Sequence, residues 1–384
     1  MYEYSTIFGM DTHARSVTIR AIVVETGEVQ TKKFGNCPTP FEISEWIKGF
    51  PGPQYAAYES GCTGFYLCRE LRKLGITCDV IAVSSIARST DDKIKKNDRR
   101  DAKRLAAELL NPANDLARVW LPDEECEGAR DLSRAYADAV DAMKRAKLQL
   151  IAFLLRHGYV YSEKTKTGKW KKTFTRSFYS WLSTLNLEAE SARLAYEMHL
   201  NAAKETIERA RVAKEVLDAY KEQSRFKPYV DALSVLKGVG EIGAFAYAVE
   251  IGDFSRFKTG RKLPSWTGLT PKQYDSGDKN ASGTITKAGN SHVRRYLMEG
   301  SNSLVYQGNG QPKALRRDNE VSDAIRIHAN KGSRRLVKKI KRLKERGKES
   351  NIIKVACASE MIRWVWAIGL MVQQEQQQLV YARK

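Results

Sequence analysis

The sequence predicts an α/β N-terminal domain, a coiled-coil helical middle and a mainly helical C-terminal domain. Two observations support this fold class. Short apolar runs alternate with helix-like stretches over the first hundred residues, and two later stretches repeat apolar residues at three- and four-residue steps. Breaks at Asn111-Pro112 and Leu121-Pro122 end the first domain near residue 120. The predicted domains are residues 1–120, 121–230 and 231–384.

Strands and helices alternate through the first predicted domain. A turn at Gly27 separates the second and third apolar runs, so the first three strands are expected to form an antiparallel meander. Two later strands each follow a helix-like stretch, an order typical of a mixed sheet with helices packed against it. The predicted strands are Tyr4–Met10, Ser16–Val24, Val29–Phe34, Tyr55–Tyr58 and Cys78–Val83, and the predicted helices are Phe41–Ile47, Gly64–Leu74 and Asp101–Leu110.

The middle domain is predicted to contain two long amphipathic helices, Asp123–Arg156 and Leu185–Gln223, which can form a coiled-coil hairpin. The insertion between them, residues 158–181, mixes basic residues with aromatic rings on which an unpaired nucleic acid can stack. An exposed loop with some rings packed on the helices explains the same composition equally well. The candidate nucleic-acid contacts in this insertion are Lys169, Lys171 and Lys172.

Two segments of the last domain are candidates for binding a phosphate backbone. Gly238 and Gly240 permit a tight turn whose amides can approach a phosphate, as in a helix-hairpin-helix element, although a glycine helix cap is the alternative. Lys331–Lys348 carries ten basic residues and one acidic residue around a narrow apolar stripe, which predicts a backbone-binding helix. Its candidate contacts are Arg334, Arg335, Lys338 and Lys339.

The charge of the chain favours a polyanionic partner. The 65 Lys and Arg exceed the 45 Asp and Glu by 20, and basic proteins release counterions when they bind nucleic acid. The N-terminus lacks a secretion-signal pattern, and the six cysteines form no C-x-x-C pair. The longest apolar run, near Trp364–Val372, is too short to cross a bilayer. We therefore expect a soluble cytoplasmic protein without a zinc site, a disulfide framework or a membrane span.

Four acidic residues form the first candidate site. Asp11 and Glu59 each follow a predicted strand directly, and carboxylates at the ends of adjacent strands can meet at one edge of a sheet. Asp98 and Asp101 are three residues apart and share one face of a helix. Four such acids make an oxygen-rich site suited to Mg²⁺ and to phosphodiester chemistry. Because Asp98 and Asp101 lie among six Lys and Arg, surface salt bridges are the alternative.

The second candidate site is Ser276, which is predicted to lie in a Gly-flanked loop within Trp266–Gly277. Serine attack on a phosphodiester leaves a phosphoserine that conserves the bond energy for resealing, but the weak hydroxyl nucleophile needs a base or a metal. Lys287, Arg294 and Arg295 can offset charge on the phosphate. Serine is a common turn residue, so the residue types alone do not single out Ser276. The serines that compete with it are Ser265, Ser282 and Ser291.

Together the two candidate sites resemble the insertion-sequence 110 family of transposases, over about residues 5–110 and 230–300. In that family a RuvC-like (RNase H-like) N-terminal domain carries a DEDD metal site. The resemblance assigns the family's nucleophilic serine, found in a G-L-T-P…Y-x-S-G context, to Ser276. A downstream K-x-G…R-R pattern also fits. The resemblance assigns the DEDD site to Asp11, Glu59, Asp98 and Asp101.

The resemblance implies a bridge-RNA-guided DNA recombinase that uses Mg²⁺ or Mn²⁺ and a phosphoserine intermediate. The implied partners are a non-coding bridge RNA from the same element, target and donor DNA, and further copies of the chain. These copies would form a dimer or tetramer with an active site shared between protomers. A cytoplasmic, nucleoid-associated protein of a prokaryote is implied as well. The basic insertion and the tail after residue 310 are not explained by the family motif.

Two other functions remain open at this point. A metal-dependent, junction-resolving nuclease would attack DNA with water, leave ends free of protein and use Ser276 only as a turn residue. A non-catalytic RNA- or DNA-packaging protein would use its carboxylates as helix caps. Such a protein would show no dependence on divalent metal beyond general screening.

Overall fold

The chain folds as two units, Met1–Asp123 and Glu124–Lys384. The computed structural model describes residues 3–86, 98–111, 113–114, 116–276, 279–307 and 321–382. Within these ranges, only the backbone is described at 84, 98–99, 273–276, 279–283, 307 and 382.

A five-stranded mixed sheet forms the centre of the first unit. Its strands are β1 (Thr6–Thr12), β2 (Val17–Val23), β3 (Val29–Phe34), β4 (Gln54–Glu59) and β5 (Thr77–Ile81). They lie in the order β3-β2-β1-β4-β5. The pairs β1–β2 and β2–β3 are antiparallel, whereas β1–β4 and β4–β5 are parallel. The predicted meander and mixed sheet are confirmed.

Three helices cover this sheet, at the predicted places: α1 (Pro40–Lys48), α2 (Tyr66–Lys73) and α3 (Asp98–Leu110). Apolar side chains of α1 and α2, such as Ile47 and Leu71, pack with Phe8 on one face. On the other face Leu105 of α3 packs with Tyr55. The sheet is therefore covered on both faces, which explains why most residues of its central strands β1 and β4 are buried.

Helix α3 lies unusually close to β1 because Gly9 has no side chain. A Cβ placed on Gly9 would lie 2.4 Å from the backbone nitrogen of Ala106 and 2.5 Å from the carbonyl oxygen of Ala102. Both contacts are shorter than any real Cβ tolerates, so only glycine fits at this position.

Two long helices, α4 (Glu124–Arg156) and α6 (Glu190–Gln223), pair in the second unit as the sequence predicts. They are antiparallel, because Glu125 near the start of α4 is 3.2 Å from Arg225 just after α6. Towards the other end, the rings of Phe153 and Tyr196 stack with centroids 6.4 Å apart.

The insertion between these helices is more ordered than its composition suggests. It contains a short helix that the sequence analysis did not predict, α5 (Arg176–Leu182), capped by the hydroxyl of Thr175. Phe178 is fully buried, and the rings around it pack on the helical pair. Trp170, by contrast, is 64% exposed, and the Lys164 ammonium lies 4.7 Å from its centroid. Most of these rings thus serve packing.

The described residues of the rest of the second unit are mainly helical and include one two-stranded sheet. Its elements are α7 (Lys227–Ser234), α8 (Glu241–Ile251), α9 (Leu263–Trp266), β6 (Pro271–Ser276), β7 (Lys279–Ile285), α10 (Ser291–Gln307), α11 (Asp323–Glu345) and α12 (Ser350–Ala382). The predicted basic helix is confirmed as part of α11, which begins earlier than expected.

The expectation that the apolar run near Trp364–Val372 is too short to cross a bilayer is wrong on length, because this run lies within the longer helix α12. Ser350–Tyr381 is long and apolar enough to cross a membrane by length and composition, although a buried core helix meets the same criterion. In the fold, Met361, Ile362 and Val365 are fully buried, and α12 packs against α10 and α11. Its apolar character therefore has an explanation in core packing.

Candidate functional site

Two carboxylates of the first unit lie side by side at the ends of parallel strands. The β1–β4 ladder pairs Met10 with Tyr58, and Asp11 and Glu59 are the next residues on their strands. Residues that lie opposite each other on adjacent parallel strands point to the same face of the sheet, so Asp11 and Glu59 do. This is also the face of Gly9, two residues before Asp11, on which α3 lies. The sequence prediction that these acids share one sheet edge fits this register.

Helix α3 adds a third carboxylate and a cation to this face. Nη2 of Arg104 lies 2.7 Å from Oε1 of Glu59 and 3.4 Å from Oδ1 of Asp101. Nε2 of His13 lies 3.0 Å from Oδ2 of Asp11. The side chains of Asp11, Glu59, Asp101 and Arg104 are only 16–24% exposed. We call Asp11, Glu59 and Asp101 the acidic edge.

The acidic edge has the chemistry of a cation site. Its carboxylates already hold the guanidinium cation of Arg104 between Glu59 and Asp101, and carboxylate oxygens are the ligands that Mg²⁺ prefers. Asp98 is the first residue of α3, one turn before Asp101, but its side chain lies outside the described residues. Among the residues that the structure describes, no three His, Cys, Asp or Glu side chains form a group able to hold a metal ion.

Ser276 ends one strand of the hairpin in the second unit. It is the last residue of β6 and pairs with Lys279, the first residue of β7. The loop predicted at Ser276 is wrong, because the structure has two antiparallel strands here. The side chains of Ser276 and of the competing Ser282 lie outside the described residues, as does the whole of Gly277.

The base of this hairpin is locked by two glycines with positive φ. A Cβ on Gly268 would lie 2.2 Å from the carbonyl oxygen of Ala288, and a Cβ on Gly289 would lie 2.1 Å from that of Trp266. The amide of Lys287 donates to the carbonyl of Gly268 at 3.1 Å. The motif segments Gly268–Pro271 (G-L-T-P) and Lys287–Gly289 (K-x-G) therefore meet at the hairpin base. This close contact explains why each segment contains a glycine.

A buried carboxylate, missed by the sequence analysis, ties this base to the helical core. Glu250 is 2% exposed and accepts two hydrogen bonds from Arg134, at 2.8 and 3.1 Å. Asn290, directly after the K-A-G segment, donates to the same carboxylate at 2.7 Å. Burial alone would raise the pKa of Glu250, but the hydrogen bonds and charge of Arg134, with Asn290, hold that pKa below its ordinary value. The signal in the sequence is a single acid within the apolar run from residue 244 to 251.

The three cations near the hairpin differ in what they contact. Arg295 makes a two-fold contact with Asp141 of α4, at 2.6 and 2.8 Å. Arg294 donates to the carbonyl of Thr267 at 2.8 Å. Lys287 is exposed, in a left-handed backbone conformation with φ 56°. Of the three expected phosphate contacts, Lys287 is the most accessible, whereas the two arginines already hold the structure together.

The predicted glycine turn lies between α7 and α8, in the order of a helix-hairpin-helix element. A Cβ on Gly238 would lie 2.9 Å from Leu304, so its φ of +91° and its packing both require glycine. Gly240 precedes α8 and faces open space. The neighbouring Glu241 is ion-paired with Lys221 at 2.8 Å, and its negative charge opposes phosphate binding at this helix end.

The other candidate nucleic-acid contacts also differ in whether a carboxylate of the protein already pairs with them. In the insertion, Lys169 and Lys172 are both exposed, whereas Nζ of Lys171 lies 2.6 Å from a carboxylate oxygen of Glu163. On α11, Arg335 and Lys339 both contact Glu360, at 2.6 and 3.0 Å.

The comparisons with known proteins agree on one family. A family model described as "Transposase IS116/IS110/IS902 family" matches residues 230–315, and a DEDD-type IS110 transposase model matches residues 8–158. The chain is 35% identical to "Putative transposase y4qE" of Sinorhizobium fredii over 82% of this chain and 75% of that protein. It is 26% identical to the transposase for insertion sequence element IS1533 of Leptospira borgpetersenii, over 89% and 97% of the two chains.

We expect Arg104→Gln to destabilise the first unit in metal-free buffer by about 1–3 kcal/mol, because it leaves partly buried carboxylates without their cation. Millimolar Mg²⁺ or Mn²⁺ should restore much of this loss by supplying another cation. Urea unfolding with and without the ion measures both effects. Arg100→Gln, an exposed change on the same helix, serves as the control and should change stability by under about 0.5 kcal/mol. A loss that the ions leave unchanged would contradict cation binding at the acidic edge.

We expect Glu250→Gln to lower the free energy of unfolding at pH 7 by about 1–3 kcal/mol, because Arg134 loses its charged partner. A carboxyl whose pKa is lowered by folding stabilises above its unfolded pKa, about 4.3, and loses this contribution as the pH falls through the folded value. The wild-type chain should therefore lose more stability than Glu250→Gln on acidification from pH 7 through this range. Urea unfolding across that pH range measures the difference, with the exposed Glu205→Gln as control. Parallel pH profiles for wild type and Glu250→Gln would refute the assignment.

Proposed function

The chain belongs to the IS116/IS110/IS902 family of transposases, and from this premise we propose that it recombines DNA by attack of Ser276 on a phosphodiester, assisted by the acidic edge. As a transposase of insertion sequences it acts on DNA. The finer proposal is that cutting leaves DNA joined to Ser276 as a phosphoserine, and that strand exchange and resealing follow without an external energy source.

The observation that carries this proposal is the convergence of Asp11, Glu59 and Asp101 on one face at the ends of two parallel strands. Helix caps and surface ion pairs do not require three acids from separate elements to share a partly buried place. A packaging protein has no use for such an arrangement, whereas phosphodiester chemistry does.

The acidic edge supplies oxygen donors of the kind that a divalent cation prefers, and together with Asp98 it would make up the proposed set of four. The chemistry that Mg²⁺ or Mn²⁺ supplies when bound there is neutralisation of charge on a phosphate. The guanidinium of Arg104 holds Glu59 and Asp101 together. We propose that Arg104 keeps the carboxylates in place until substrate and ion arrive.

The hairpin suits Ser276 to a nucleophilic role. Its base is held by Gly268, Gly289 and the Glu250 network, so the strand that ends at Ser276 starts from a fixed point. Exposed Lys287, at the same base, can contact a phosphate. Preorganised geometry of this kind lowers the cost of bringing a hydroxyl to its target.

The proposed partners follow from the family resemblance. A bridge RNA encoded by the same element would pair with target and donor DNA and supply most of the sequence choice, while the protein binds RNA shape and phosphates. The chain would act as a dimer or tetramer in which the acidic edge of one protomer serves Ser276 of another. A location at the nucleoid would follow from these partners.

We expect Ser276→Ala to retain DNA binding and to lose any covalent protein–DNA adduct, because the attacking hydroxyl is removed. The full chain, co-expressed with the flanking non-coding region of its element, is incubated with Mg²⁺ and labelled junction DNA and run on a denaturing gel. Ser265→Ala, which removes an exposed hydroxyl from the same region, is the matched control and should keep the adduct. An adduct that persists in Ser276→Ala refutes the nucleophile. Cleavage by the wild type without any adduct would favour the junction-resolving nuclease.

We expect Ser276→Ala and Asp11→Asn chains, each inactive alone, to form an adduct when mixed, because a shared site can combine the intact half of each. Recovery of about a quarter of wild-type adduct is the statistical expectation for random dimers with two such sites. A Ser276→Ala chain mixed with the Ser276→Ala/Asp11→Asn double variant is the control and should remain inactive. If co-purification of differently tagged chains proves mixing and no adduct returns, the site lies within one protomer.

A further inference from the structure

Helix α11 presents a row of cations on the face opposite its core contacts. Leu336 and Ile340 are buried, and α11 packs on α12 through this side. Positions that are three and four residues apart lie on one face of a helix. The exposed cations spaced in this way on the outer face are Lys331, Arg334, Lys338 and Arg342, which we call the basic stripe.

The side chains of the basic stripe have no ion pair or hydrogen bond among the described residues, whereas the other lysines and arginines of α11 each have one. Arg335 and Lys339 contact Glu360 on α12, and Lys341 lies 3.9 Å from Glu345. Nζ of Lys344 donates to the carbonyl of Val305 at 2.8 Å. Arg335, Lys339 and Lys344 thus attach α11 to α12 and α10, whereas Lys341 pairs within its own helix.

The basic stripe also stands on a fixed support. The amide of Lys237, in the glycine turn, donates to the hydroxyl of Ser333 at 3.0 Å. A Cβ on Gly332 would lie 2.7 Å from the Trp364 ring, so α11 and α12 are in close contact there. A rigid row of cations loses less conformational entropy on binding than cations on a free loop.

We propose that the basic stripe is a binding surface for the phosphate backbone of duplex DNA, in addition to the two sites of the proposed chemistry. At 1.5 Å per residue the stripe spans about 16 Å, a straight row that suits a regular polyanion. Helix α11 has no Phe, Tyr or Trp, so it lacks the stacking surfaces typical of binding to unpaired bases. A surface of cations without aromatic rings is therefore suited to binding the DNA backbone without regard to base sequence.

The test measures binding of the full chain, carrying Ser276→Ala to prevent cutting, to a 30-base-pair duplex of arbitrary sequence over a range of salt. The stripe variant changes Lys331, Arg334, Lys338 and Arg342 to Gln. The control variant removes four exposed cations from α4 and α6 by changing Arg145, Arg156, Lys204 and Arg209 to Gln, so both variants have the same net charge.

We expect the stripe variant to bind duplex DNA at least tenfold more weakly near 0.1 M salt. The slope of log affinity against log salt should become less steep by about 0.9 for each lost phosphate contact, or up to about 3.6 for four. The control should keep most of its affinity. An equal loss in both variants would overturn the proposal, because net charge would explain it. A loss confined to a folded RNA of similar length would also overturn it, in favour of an RNA surface.

This test is separate from the proposed chemistry, because binding is measured without cutting. A stripe variant that retains Ser276 is also used in the adduct assay at saturating DNA, where it tests the proposed chemistry separately from DNA binding. An adduct at near wild-type level there, together with weakened binding, supports both proposals. Unchanged melting temperature verifies that the four exposed changes leave the fold intact.

Discussion

The acidic edge depends on the missing side chain at Gly9. Because no Cβ stands between β1 and α3, the backbone of the helix reaches the strand at Ala102 and Ala106. This contact sets the height of Asp101 and Arg104 above the sheet, where Arg104 reaches Glu59. Any larger residue at position 9 would move the helix outward and carry both charged groups with it. Close packing of α3 on β1 therefore fixes the positions of the carboxylates. Arg104, on the same helix, then balances the negative charge of Glu59 and Asp101 at these positions.

The hairpin of Ser276 is positioned by the same kind of constraint. Gly268 and Gly289 let two distant segments touch backbone to backbone, at distances that leave no room for a Cβ. Glu250 then joins this contact to α4 through Arg134 and to the start of α10 through Asn290. A buried acid with this many donors is costly to place, and its network is satisfied as a whole or not at all. The strand leading to Ser276 consequently begins from one defined geometry.

The sequence predicted elements better than it predicted contacts. Alternation and periodicity located the five strands of the first unit and the two long helices α4 and α6, because each such pattern is a local property of the chain; they did not locate β6, β7 or α12. The role of Arg104 was not predictable, since six cations near Asp98 and Asp101 look alike until the helix is placed on Gly9. Helix α5 was missed because its packing on the long helical pair overrides its loop-like composition. For Ser276 the letters of the family motif, more than its loop-like surroundings, distinguished it from other serines.

Net charge alone also misjudges where a nucleic acid would bind. In Lys331–Lys348 ten cations look equivalent, yet Arg335 and Lys339 are attached to Glu360 and contribute to packing. The four cations of the basic stripe have no such partner among the described residues, recur with the period of the helix and face away from its core. A cation that already has a carboxylate partner within the protein must lose that partner before it binds a phosphate. Its net gain in free energy on binding is therefore smaller. The charge that is available for binding therefore depends on how the helix is rotated about its axis. This rotation determines which cations lie beside a carboxylate and which are exposed to solvent.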